Sequence, residues 1–174
     1  MGTRLRVCAI AGVLLYGVIL RAETPQRCQR SDSPSNMEIS RDVSRVLQPI
    51  YEKSPTFRAQ CARLASARNL RVIVRLDPGI PGRFRAFTVI QREGREIRAD
   101  VHLPPGRALI ELVAHEFEHL LEQVEGVNLR KLARMRATGV REIESEIFET
   151  DRAQRAGRRV ADEVAGESRT PSAD

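Results

Sequence analysis

The chain has 174 residues, 41% of them apolar, and a formal net charge of +6. That length favours one domain, and that apolar fraction suits a modest core rather than a disordered chain. Arg4, Arg6 and Arg21 lie in the first 22 residues, which hold no acid. Taking those three from +6 leaves +3 for the remainder, where arginines and acids interleave, so the composition argues against a polyanion-binding tail. Trp is absent and only Tyr16 and Tyr51 are present, which removes the stacking platforms that single-stranded nucleic acid needs. Three cysteines are too few for a disulfide scaffold or a thiolate zinc site.

The N-terminus reads as an export signal. Arg4 and Arg6 precede an apolar run over 7–20, and polar sequence begins at Glu23. Fourteen apolar residues are short for a membrane span, which needs about 20. Cleavage after Ala22 would leave Leu20 at the −3 place, where a small residue is preferred, so an uncleaved anchor is the alternative. The expected location is the periplasm or the extracellular space, with no stable membrane association once the signal is removed. In such an oxidising compartment Cys28 and Cys61 are candidates for one disulfide.

Residues 23–36, rich in Ser, Pro, Arg and Gln, read as a linker, and 37–165 as the domain. A weak helix is expected over 37–53, and a second over 55–68 with Pro55 at its first position. Three strands follow. Residues 70–76 alternate, 85–91 form the second, and Glu93-Gly94 turns into the third over 95–103. Pro104-Pro105-Gly106 stops the strand, and a strong helix is expected over 107–125. A short helix over 129–137 and a long one over 141–164 complete the domain, before a frayed tail at 166–174. Helices, a small three-stranded meander, then helices again indicate an α+β domain.

The strong helix carries His115-Glu116-Phe117-Glu118-His119. Residues four apart lie about 40° apart around a helix, one turn up, so both imidazoles can face one metal ion. The glutamate between them can reach a water on that ion as general base. With His115 at 0°, the apolar stripe of Leu109, Ile110, Val113, Phe117, Leu120, Leu121 and Val124 occupies roughly 120° to 240°. The two histidines therefore face away from the core, which a merely core-filling histidine would not.

This segment resembles the active-site helix of the zincin metallopeptidases. The resemblance implies a small twisted sheet beside the helix, an edge strand along the substrate cleft, one zinc per chain and a peptide or protein substrate. Glu118 departs from the uncharged residue usual at its place. The metzincin extension would need Gly at 122 and His at 125, where Glu122 and Glu125 stand. A third ligand from a later helix, the gluzincin arrangement, leaves Glu142, Glu144, Glu146 and Glu149 as candidates. Glu149 shares a helix face with Ala153, Ala156 and Val160 and is preferred, with Glu146 as the alternative.

Asp151 and Thr150 are candidates for orienting a ligand. His102 and Arg152 are candidates for stabilising an oxyanion, since no His or Tyr follows His119. The expectation is an exported zinc metallohydrolase, a peptidase with Glu116 as general base. Two histidines and a carboxylate also suit iron(II) or manganese. Two rival readings are a non-catalytic zinc clamp between the long helices and an arginine-rich anion-binding protein. Because the arginines interleave with acids, nucleic acid is not expected as a partner.

Overall fold

The computed structural model describes residues 36–80, 85–106 and 108–166. The expected signal segment, most of the linker, Cys28 and most of the tail lie outside the described residues. In chain order the elements are β1 (Met37–Ile39), α1 (Arg41–Lys53), α2 (Pro55–Ser66), β2 (Leu70–Leu76), β3 (Phe87–Glu93), β4 (Glu96–Leu103), α3 (Leu109–Val124), α4 (Leu129–Ala133), β5 (Val140–Glu144), β6 (Ile147–Thr150) and α5 (Asp151–Ala165). The class is α+β. Among the described helices, none is long and apolar enough to cross a membrane.

The main sheet has four strands in the order β1-β2-β4-β3, not the three of a simple meander. The β3–β4 hairpin is antiparallel as expected, but β4 then lies parallel to β2, and β1 lies parallel to β2 on the other side. Burial explains the order. The inward residues of β2 (Leu70, Val72, Val74) and β4 (Ile97, Ala99, Val101, Leu103) are all buried, so these two strands take the centre. β3 is exposed along much of its length and forms the edge. Residues 37–39, expected as the start of the first helix, are strand β1, because Ser40 caps α1 by accepting from the Val43 N–H.

α3 lies on the inner face of this sheet. Leu109, Leu112, Val113, Phe117, Leu120 and Leu121 are buried in the common core, and Phe117 stacks on Phe57 of α2 at 5.5 Å between ring centres. Each such side chain, fully buried, contributes about 1.5–3 kcal/mol. Cys61 of α2 is also buried there and is disulfide-bonded.

α5 crosses α3 at close range. A Cβ added at Gly157 would lie 2.7 Å from the Glu111 carbonyl oxygen and 3.3 Å from the His115 Cβ. Only glycine allows that approach, and it brings α5 against the helix that bears the histidines. The Glu163 carboxylate also closes α5 onto α2, accepting from the Thr56 N–H at 3.1 Å and the Thr56 hydroxyl at 2.6 Å, and from the Ser54 hydroxyl.

The expected long helix over 141–164 is corrected. Its first ten residues are the antiparallel hairpin β5–β6, and the helix begins only at Asp151. Ser145 and Glu146 make the turn, with Glu146 in the left-handed region at φ 64°. The hairpin stands outside the main core, with β5 almost wholly exposed.

Candidate metal centre

His115 and His119 lie on the solvent side of α3, with side chains 15% and 14% exposed. Their Nε2 atoms are 3.2 Å apart. The Oε1 atom of Glu149, on β6, is 3.6 Å from the first and 3.8 Å from the second. Three ligand atoms at these separations match the edges of a tetrahedral site, for which metal–nitrogen bonds of about 2.0–2.1 Å give edges of about 3.4 Å. Glu149 is thus brought to the histidines, but from the end of a strand rather than from a helix face.

The chemistry of the donors fits a cation. Two imidazole nitrogens at 3.2 Å cannot both present lone pairs to each other, so a proton or a metal ion must lie between them. The Nδ1–H of His119 donates to Glu122 Oε2 at 3.0 Å, which leaves its Nε2 as the ligand atom. Burial pushes the His119 pKa down, but the Glu122 hydrogen bond and the charges of Glu116, Glu122 and Glu149 outweigh it, and the group lies above its ordinary value of 6.5. His115 lies below that value, chiefly through burial and in spite of Glu116; the neighbouring His119 pushes it the same way.

Glu116 is buried, and its Oε2 accepts from the Thr88 hydroxyl at 2.6 Å. Thr88 is on the core-facing side of edge strand β3, in register with Val101. The carboxylate is thereby held between the histidines and the edge strand. Around it lies a cleft of about 450 Å³ lined on one side by β3 and on the other by the hairpin and Leu129. Its walls are largely apolar: Val89, Ile90, Leu129, Ile143, Ile147 and Phe148. Among the described residues the exposed large hydrophobics are Val89, Met135 and Ile143, and two of these three line this cleft.

The other sequence candidates fall outside the ligand group. Glu146 is at the hairpin turn, where it pairs with Arg130, and Glu142 and Glu144 are exposed on β5. His102 stacks on Phe87 and binds Asp77 at 2.9 Å, so it is directed away from an oxyanion role. Arg152 is committed elsewhere: its Nε donates to Glu118 at 2.6 Å, and its two terminal nitrogens donate to Glu125. That pairing also accounts for the charged Glu118 inside the motif. Its carboxylate is buried where α3 meets α2 and α5, and is bonded by Arg152 and by Gln60 at 2.6 Å. Asp151 pairs with Arg141 at 3.0 Å rather than with a ligand.

Thr150, the other expected orienting residue, does touch a ligand: its backbone N–H donates to Glu149 Oε1 at 2.8 Å. Sequence reasoning missed Thr88 and the role of Glu122. Glu122 was accessible as a signal, since it lies three residues after His119 on the same helix face. Thr88 carried only the weaker mark of a polar residue in the inward register of a strand. Comparison of the chain with protein-family models, with curated proteins and with solved structures found no match.

Proposed function

We propose that the protein is an exported zinc-dependent hydrolase of the zincin type, acting on peptides. The observation that carries this reading is the convergence of His115 Nε2, His119 Nε2 and Glu149 Oε1 beside a buried Glu116, at the floor of a cleft bordered by an edge strand. Zinc in that group would polarise a carbonyl and acidify a water molecule. Glu116, held by the Thr88 hydroxyl, would accept a proton from the attacking water and return it to the leaving amine. The open edge of β3 suits an extended chain, which would add main-chain hydrogen bonds to that strand. The apolar walls, with Val89 and Ile143 exposed on opposite sides, suit a substrate with an apolar side chain next to the bond that breaks.

The test is Glu116→Gln assayed on a peptide library with metal content measured in parallel. Loss of turnover by about 10²–10⁴-fold with metal retained supports the hydrolase. The engagement of His102 and Arg152 by other residues favours a second reading, a zinc clamp that joins α3 to the hairpin without catalysis. A fully metal-loaded chain that cleaves nothing in the library would select that reading.

A further inference from the structure

Glu122 takes no part in the proton chemistry above, yet it is a carboxylate 2% exposed in the middle of the domain. A buried carboxylate is costly unless its oxygens are bonded. Both are. Oε2 accepts from His119 Nδ1 at 3.0 Å, and Oε1 accepts from the Thr150 hydroxyl at 2.8 Å. Thr150 is itself 2% exposed and makes two more bonds. Its hydroxyl accepts from the Ala153 N–H at 3.0 Å, which caps α5, and its backbone N–H donates to Glu149 Oε1 at 2.8 Å.

We propose that Glu122 and Thr150 are positioning residues that set two of the three metal ligands together, Glu122 by fixing the tautomer and ring plane of His119, Thr150 by bonding both Glu122 and Glu149. This inference rests on the metal reading of the site. Its content is that the helix ligand and the hairpin ligand are not placed independently. One buried threonine at the junction of β6 and α5 ties them to each other and to the first turn of α5. The ligands are therefore held in register by three hydrogen bonds that centre on the buried Glu122 and Thr150, and metal affinity depends on residues that never touch the ion.

The experiment titrates the full chain and its variants with zinc in competition with a chromophoric chelator, and melts each metal-free protein. Glu122→Ala leaves the Thr150 cap of α5 in place, so it separates positioning from capping. It is expected to bind zinc about 10–100-fold more weakly than the parent chain. Thr150→Val should weaken zinc in the same direction, and Thr150→Ser, which keeps the hydroxyl, should restore it. If Glu122→Ala melts without cooperativity, Glu122→Gln carries the test. It keeps the volume and one acceptor oxygen, loses the charge, and is expected to bind zinc about tenfold more weakly. Folded Glu122 variants that bind zinc as tightly as the parent would overturn the proposal and leave the metal site standing. A parent chain that binds no zinc would overturn the metal reading and this proposal with it.

Discussion

The three side chains that could hold a metal ion come from two regions built on opposite principles. α3 is anchored through its apolar stripe: Phe117, Leu120 and Leu121 are buried, and the two histidines ride on a helix that the core holds still. The β5–β6 hairpin has almost no core of its own. β5 is exposed, β6 is half-buried, and Thr150 is the one buried residue of the pair. Each side chain's placement therefore has a different source. For His115 and His119 it comes from hydrophobic packing, and for Glu149 from hydrogen bonds at the strand's end and from the close crossing of α5 over α3. A site divided in this way has one wall held by packing and one wall whose order depends on polar contacts.

Truncating one apolar residue in each region should have the most unequal effects. Phe117→Ala, in the core, is expected to cost about 3–5 kcal/mol of folding stability. Ile143→Ala, on the exposed hairpin, is expected to change it by less than about 0.5 kcal/mol. Urea unfolding of the two variants measures both. Equal losses would mean that the hairpin is as much a part of the core as α3 is.

Glu149→Ala comes next. It should leave unfolding of the metal-free protein nearly unchanged and weaken zinc by more than about 100-fold, as read by chelator competition, because it removes a ligand rather than a support. Gly157→Ala acts on the joint between the regions. The added Cβ meets a backbone oxygen at 2.7 Å, so α5 must move away from α3. The expected cost is about 1–3 kcal/mol in urea unfolding, with weaker zinc binding as the hairpin shifts with α5. Unchanged stability in that variant would show that the crossing has slack.

The two regions also differed in how readily the sequence disclosed them. α3 announced itself because its burial has the helical period, so Leu109, Val113, Phe117 and Leu120 fall on one stripe and the histidines opposite. The hairpin carried no such mark. Four of its eleven residues are Glu, with one Arg and two Ile, and its turn is Ser145-Glu146, with a glutamate in the conformation usually left to glycine or asparagine. The run therefore read as the start of α5. A continuous helix would set Glu149 on one face with Ala153 and Ala156, which is not how it reaches the site. The residue is the same and the geometry is different. The parallel pairing of β2 with β4 was likewise hidden, since Glu93-Gly94 reports only the local hairpin and nothing local reports a partner 27 residues away, such as Ile97 for Leu70.

The smallest expected effect lies away from the centre. Asp77 is held below its ordinary carboxylate value of 3.8, first by the hydrogen bond from His102 and then by the Gly79 N–H. A depressed acid contributes stability that is present above its unfolded value and is lost as pH falls through the folded one. Asp77→Asn should therefore lower the urea midpoint slightly at neutral pH and converge with the parent below about pH 4, which flattens the acid limb. An unaltered acid limb would show that the His102 pair carries no part of it.

The most direct measurement is metal stoichiometry on the full chain, by elemental mass spectrometry after zinc loading and desalting. It would compare the parent with His119→Ala and with a His115→Ala, His119→Ala double variant. The expected result is about one zinc per chain in the parent, little in the single variant and none in the double. A parent chain that leaves the column without stoichiometric metal, or variants that hold as much as the parent, would contradict the assignment of His115, His119 and Glu149 as a metal centre.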